Sequence, residues 1–275
     1  MINKILVPTD FSEVANNALQ YAISLSLKIN AEIHLLYVKH LPLVDSSYPD
    51  TIYQSYMSEI DDYTTDRFAH LKNSTLEMSG VKYVTHSAFG FINDEVQEFT
   101  SHNKIDLIIL GTTGASGIQE VLIGSNAASV VAKSEVPVLV IPPSAKFEEI
   151  KHIVYSSDFN EPEFPALSRL AYFADLYNAE ISILHVKSEF DNYFDEEHNF
   201  FVKNKDQIAL NNWKIVKVEE ISSIIDSINS YIENEHTNLL VMAKHNRNFF
   251  DRLFHRSLSK QMAYHTKIPL LVLNK

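Results

Sequence analysis

The sequence predicts an α/β protein made of two tandem, doubly wound domains, and three observations predict it. The chain aligns with itself: Lys4-Ile5-Leu6-Val7-Pro8-Thr9-Asp10-Phe11-Ser12 lies on His152-Ile153-Val154-Tyr155-Ser156-Ser157-Asp158-Phe159-Asn160 at an offset of 148. Within each copy, short apolar runs alternate with segments of helical periodicity, the order that builds a parallel sheet through βαβ crossovers. Glycines Gly111, Gly114, Gly117 and Gly124 cluster between one apolar run and the next helical segment, and none follows them.

The opening run Ile2–Pro8 is too short for a membrane span or a leader peptide, and proline and aspartate end it. It reads as a first strand over 4–8. A helix follows over 13–29, with Ala15, Ala18, Leu19, Ala22, Leu25 and Leu27 set on one stripe at the spacing of a helix lying on a sheet. Strands are expected near 32–38, 82–88, 105–110 and 137–141, and helices near 51–78, 91–102 and 125–134. Runs such as Ile105–Leu110 lack polar alternation, which marks strands covered on both faces. Each copy is thus a five-stranded parallel sheet with helices on both faces, a Rossmann-like arrangement.

The repeat continues through Asn30-Ala31-Glu32-Ile33 on Asn178-Ala179-Glu180-Ile181 and Val38-Lys39 on Val186-Lys187. Beyond that the offset falls to 132, with Leu107-Ile108-Ile109 on Leu239-Leu240-Val241 and Val136–Val140 on Ile268–Val272. The second copy is therefore 16 residues shorter, and the loss lies between Lys187 and Trp213. Its strands are expected near 151–156, 180–186, 213–218, 238–243 and 269–273. Domain boundaries fall at 1–143 and 150–275.

Thirty-five acidic residues against 23 basic ones give a net charge of −12, which works against nucleic-acid and anionic-membrane partners. No cysteine is present, so disulfides, thiolate catalysis and zinc–cysteine sites are excluded. No apolar run reaches membrane-span length, and the cytoplasm is the expected compartment.

Ligands of open parallel sheets sit beyond the carboxyl ends of the strands, where strand order reverses. Pro8-Thr9-Asp10 follows strand one, and Gly111-Thr112-Thr113-Gly114 follows strand four. If those strands are neighbours, the two loops face each other across a crevice. Gly111 and Gly114 would let backbone approach a nucleotide closely. Gly124 would clear the entry to the next helix, where Ser125, Asn126 and the first amides can hold phosphate oxygens. Asp10 could bond a ribose or base, or hold a metal through water. It has a structural reading too, because Asp10 and Ser12 immediately precede a helix; Ser125 and its match Ser257 could likewise be caps. His34, His40, His70, His86 and His102 show no ligand spacing and read as surface or packing residues. Asp61, Asp62, Glu95 and Glu98 read as solvated helix faces.

The pattern Gly111-x2-Gly114-x9-Gly124-Ser125, after an apolar strand and before a helix, resembles the ATP-binding signature of the universal stress protein family. Ile5–Ser12 resembles that family's first strand and loop, and Val136–Val140 its last strand. The resemblance covers both copies and implies an adenine nucleotide alpha hydrolase-like fold. It also implies ATP held by the Asp10 region and the Val38 backbone, with Thr112, the glycine loop and Ser125 on ribose and phosphates, often with a divalent metal such as Mg²⁺. It implies a role in stress response and pairing through the last strands, here an internal pseudo-dimer, with further homo-oligomerisation left open.

In the second copy the glycine positions become Ala243, Asn246 and Arg256, while Ser257 remains. Arg256 is expected to fill the phosphate entry, so nucleotide belongs to the first copy alone. The surrounding Lys244, Arg247 and Arg252 leave another anion or an acidic partner as an alternative. There is no Walker lysine, no nucleophile with a base and no placed carboxylate pair. A non-catalytic binding protein is the leading reading. A slow metal-dependent ATPase using Asp10 and a nucleotide-free scaffold are the alternatives, the latter with Pro42–Tyr63 as a partner surface or lid.

Overall fold

The computed structural model describes residues 2–39, 50–76, 79–112, 124–157, 164–187, 210–244 and 267–274, with 199 and 203 besides. The first repeat runs β1 (Lys4–Thr9), α1 (Glu13–Ile29), β2 (Glu32–Lys39), α2 (Asp50–Leu71), β3 (Lys82–Phe89), α3 (Ile92–Asn103), β4 (Leu107–Gly111), α4 (Ser125–Lys133) and β5 (Val138–Ile141). The second runs β6 (His152–Ser156), α5 (Phe164–Tyr177), β7 (Glu180–Lys187), β8 (Trp213–Glu219), α6 (Ile224–Asn234), β9 (Leu239–Ala243) and β10 (Leu270–Leu273).

Two compact units result, one from residues up to Gly117 plus Gly124–Ser134, the other chiefly from Glu135–Lys275. In the first, parallel strands lie in the order β3-β2-β1-β4, with Lys4↔Glu32, Ile5↔Leu107 and Glu32↔Lys82 fixing the register. In the second the order is β5-β10-β9-β6-β7-β8, parallel except where β5 meets β10. The expected pairing of the two last strands is present: Val140 lies opposite Leu270 and Val138 opposite Val272. The fifth strand of the first repeat thus sits among the strands of the second unit.

Consecutive residues Ile5, Leu6 and Val7 are fully buried, as are Leu239, Leu240 and Val241, to within one per cent. Successive strand residues point to opposite faces, so both faces of these sheets are covered, as their unbroken apolar runs require. Helix α1 begins at an N-cap, Ser12, whose hydroxyl accepts from the Ala15 N–H. It ends at Asn30 in the left-handed conformation that asparagine tolerates. Ala15, Ala18, Leu19, Ala22 and Leu25 are buried, but Leu27 is 60 % exposed. At 100° per residue, Leu27 stands 200° from Leu25 and leaves the stripe; Tyr21, Ile23 and Ser26 are the further buried residues. The expected helix over 51–78 ends sooner, at Leu71, and passes into a single wider turn over Lys72–Leu76.

Backbone detail repeats along with the sequence. The Asp106 carboxylate accepts from the Asn3 and Lys4 N–H groups at 2.7 and 3.0 Å. In the second repeat the Asn238 carbonyl oxygen accepts from Lys151 and His152 at 2.8 and 3.0 Å. Left-handed turns at Asn30 and Lys104 recur at Asn178 and His236. The strand registers refine the repeat: Ile33↔Tyr83 matches Ile181↔Trp213, an offset of 130 for the third strand. Eighteen residues are therefore lost before β8, and two are regained before α6.

Candidate functional site

Strands β1 and β4 are neighbours, so the two loops named from sequence do share one end of the sheet. Pro8 is buried near the end of β1. A proline has no N–H to add to a ladder. Pairing of β1 with β4 stops at Leu6↔Ile108, while pairing with β2 runs on to Thr9↔Tyr37. The equivalent pairing in the second repeat, where Ser156 replaces Pro8, extends to Ser156↔Met242. The sheet thus parts earlier in the first repeat, at the point where its loops diverge.

The turn after β1 is tightly bonded. Thr9 is buried, and its Oγ1 accepts from the Phe11 N–H at 3.0 Å. Asp10 is half-buried, and its Oδ1 accepts from the Ser12 N–H at 3.0 Å. Asp10 therefore shapes the entry to α1 while Ser12 supplies the cap itself. Phe11 takes φ 63°, in the left-handed region.

At the end of β4, a Cβ on Gly111 would come 2.5 Å from Val14 Cγ1 and 3.1 Å from the Val14 carbonyl oxygen. Its smallness lets α1 close on the strand, a need that the sequence reading had placed on the ligand side. Thr112 follows and is 2 % exposed, and its Oγ1 has no hydrogen-bond partner among the described residues. An uncompensated buried hydroxyl is costly, and such groups mark places where a water or ligand belongs. The Thr112 carbonyl accepts from the Gly124 N–H, so the two ends of the glycine loop are tied together. Gly124 is the N-cap of α4, with φ −60° and no side-chain cap bond. The expected cap at Ser125 is thus one residue further back. Ser125 and Asn126 are exposed in the first turn of α4, where backbone N–H groups and the helix dipole favour an anion. Gly114 and Gly117 lie outside the described residues.

The carboxyl end of β2 completes the surroundings. Val38 is buried and lies opposite Ala88 of β3. Lys39, its side chain 7 % exposed, sits 2.5 Å from Asp61 of α2 and 4.8 Å from the centre of the Phe89 ring. Asp61 is therefore an ion-pair partner rather than a merely solvated acid. Burial first, then Tyr63, the Asp10 carboxylate and Tyr56 push the Tyr37 phenol above its ordinary range. Tyr37, Asp10 and the α2 tyrosines thus feel one another at this end of the sheet.

The second repeat is built differently at the matching positions. Ser157 stands for Thr9, and His185 stands for Tyr37; both are buried, with His185 Nδ1 3.1 Å from the Ser157 carbonyl oxygen. Ala243 closes β9 where Gly111 closes β4. Burial holds the Lys244 amine below its ordinary range, with Glu135 opposing. Asp158, Asn246, Arg247, Asp251, Arg252, Arg256 and Ser257 lie outside the described residues, as do Pro42–Pro49.

One pair escaped the sequence reading. His34 Nδ1 lies 3.1 Å from His86 Nε2, and His34 Nε2 lies 3.0 Å from Glu32. The rings stack at 5.3 Å, and Phe99 of α3 lies edge-on to His86 at 4.6 Å. Both are packing histidines, brought together across 52 residues of chain. Burial lowers both basicities, offset at His34 by Glu32. Among the described residues, no group of three or more His, Cys, Asp or Glu side chains could hold a metal ion. No described helix is long and apolar enough to cross a membrane.

Comparison with known proteins places both repeats in one family. The profile of the universal stress protein family matches residues 1–142 and 149–274. A universal stress protein of Methanocaldococcus jannaschii is 30% identical over 141 residues, covering 51% of this chain and 82% of the relative. One from Bacillus subtilis is 27% identical over 147 residues, covering 51% and 99%. Among solved structures, a universal stress protein from Archaeoglobus fulgidus superposes over 99% of this chain and 96% of its own, with TM-score 0.69 at 20% identity. That likeness extends the fold across both repeats.

Proposed function

The chain belongs to the universal stress protein family, and on that footing we propose that its first repeat binds one adenine nucleotide, ATP foremost, while the second binds none. The observation that carries this reading is the buried Thr112 hydroxyl at the carboxyl end of β4, which has no hydrogen-bond partner among the described residues. Thr112 follows β4, whose sheet neighbour β1 leads into the Asp10 turn, and Gly124, the N-cap of α4, brings no side-chain cap bond. Ribose and phosphate supply the partners that a hydroxyl, the first-turn amides of a helix without a side-chain cap and an exposed Ser125 call for. Pro8, Thr9, Asp10 and Val38 serve the base and sugar side; Gly111, Thr112, Gly124, Ser125 and Asn126 serve the phosphate side. Any Mg²⁺ would enter on the phosphates, with Asp10 the nearest carboxylate of this set. The protein acts as a nucleotide-dependent regulator or sensor, with the paired last strands β5 and β10 joining its repeats.

The test is Thr112→Val, which keeps the shape and removes the hydroxyl. Freed of an unsatisfied buried group, the ligand-free protein should gain about 1 kcal/mol by urea unfolding. ATP affinity, measured by calorimetry, should fall by roughly tenfold, the worth of one hydrogen bond. Unchanged affinity together with unchanged stability would assign Thr112 to neither role.

A further inference from the structure

We propose that Arg67 of α2 is a positioning residue: it holds the Thr9–Ser12 turn, and through that turn the Asp10 carboxylate, in its working geometry. The ligand in this proposal rests on the nucleotide reading above; the geometry rests on the turn alone.

Phe11 is the starting point. A bulky side chain with φ near +60° is a genuine outlier, sustained only where its surroundings over-determine it. The other described non-glycine residues with positive φ are Asn30, Lys104, Asn178 and His236, which form two matched pairs across the repeats. Asn30 and Lys104 end helices, where a left-handed residue closes the last turn. Phe11 has no such role, since it leaves a strand and precedes a helix cap. What holds it is visible on every side. Its N–H is bonded to Thr9, and its carbonyl oxygen accepts from Arg67 Nη2 at 3.2 Å. Its ring lies 4.8 Å from Tyr37, 5.2 Å from Phe68 and 6.3 Å from Tyr63. The Arg67 guanidinium also covers two of these rings, at 5.6 Å from Phe11 and 5.9 Å from Tyr63. Arginine alone among the cations can stack and donate in one plane in this way.

The consequence reaches Asp10 through covalent geometry. Returning Phe11 to negative φ would rotate the peptide groups on both sides of it. One of them carries the Asp10 carbonyl, and the other carries the Ser12 N–H to which Asp10 Oδ1 is bonded. Releasing the Phe11 carbonyl therefore releases the carboxylate.

A second observation points the same way. Among the described side chains of α2, only Thr64 and Leu71 are buried, so this helix contributes little to the core. Its links to the sheet are Arg67 on Phe11, Asp61 on Lys39 and the Phe68 and Tyr63 rings. The residues missing from the second repeat fall between β7 and β8, where α2 stands in the first.

The test uses the full chain with Arg67→Gln and Arg67→Lys. In ligand-free protein, amide exchange at Phe11 and Ser12, read by NMR, should quicken at least tenfold in Arg67→Gln, with α1 amides beyond Asn17 unchanged. ATP and adenosine should both bind about tenfold more weakly, because Asp10 serves the nucleoside; Arg67→Lys should restore neither. Combined with Asp10→Asn, Arg67→Gln should add little further loss. Unchanged exchange at Phe11 and Ser12 would overturn the proposal. So would loss of ATP with adenosine untouched, or losses that multiply in the double variant. If the wild-type chain bound no nucleotide, the site reading would fall, while the exchange measurement would still decide the role of Arg67.

Discussion

The two repeats share a frame and differ where their first and fourth strands end. The frame is kept to the level of single bonds: Asp106 and Asn238 each fasten two backbone N–H groups of the neighbouring strand. At the strand ends the chemistry separates. In the first repeat Pro8 stands where the β1–β4 ladder stops, Thr112 buries a hydroxyl with no partner among the described residues, and α2 brings Arg67 to the Phe11 carbonyl and Asp61 to Lys39. In the second, Ser156 continues the ladder and His185 lies against the Ser157 carbonyl. At that edge the first copy buries a hydroxyl that has no hydrogen-bond partner among the described residues, and the second sets the buried His185 ring against a backbone carbonyl. The lesson is that duplication preserves what makes the sheet, while the residues at strand ends are free to diverge.

The largest effect is expected from making the first repeat imitate the second at the phosphate entry. Gly124→Arg should lower ATP affinity by more than a hundredfold, about 2.7 kcal/mol. Gly124 has φ −60°, which any residue adopts, so the melting temperature should hold. Retained affinity in calorimetry would remove phosphate from this place.

A smaller effect tests the glycine at the strand end. Gly111→Ala sets a methyl against Val14, side chain and backbone together, and should cost about 1–3 kcal/mol in urea unfolding. The reciprocal Ala243→Gly should cost only about 0.5–1 kcal/mol, the price of a flexible residue in a strand. Equal costs would mean that α1 gives way, and that Gly111 answers to something other than Val14.

The smallest effect is a pH dependence peculiar to the first repeat. Burial holds His34 and His86 below their ordinary value of 6.5, so the folded state prefers them neutral. The unfolded chain binds those protons more readily, and stability from this pair is full above pH 6.5 and is lost as pH falls through the folded values. Glu32 opposes the trend at His34, and Lys4 supports it. Melting temperature should therefore drop between pH 7 and 5.5. The drop should shrink when His34→Ser and His86→Val copy Ser182 and Val216 of the second repeat. An unchanged drop in that variant would place the titration elsewhere.

Much of this contrast was legible in the sequence. Most strands read cleanly because unbroken Val, Ile and Leu runs recur in both copies, and α1 was bounded to the residue, with Ser12 standing just before its start. That β1 and β4 are neighbours was legible because the order of a doubly wound sheet sets them side by side. What failed to show has a common physical cause, contact between residues far apart in the chain. His34 meets His86 across 52 residues, Arg67 meets Phe11 across 56 and Lys39 meets Asp61 across 22, and periodicity carries no trace of any of them. Leu27 misled because a stripe of apolar residues was drawn through one that the helical phase turns outward. Gly111 was legible only in part: a missing side chain signals close approach without saying what approaches, and one neighbour it admits is Val14 of α1.

The central claim is that one repeat of the two takes nucleotide. Calorimetric titration of ATP into the full chain, after any co-purified nucleotide has been stripped and identified by mass spectrometry, tests it most directly. The account predicts one site per chain. Two sites, or no heat at any concentration up to millimolar ATP, would contradict it.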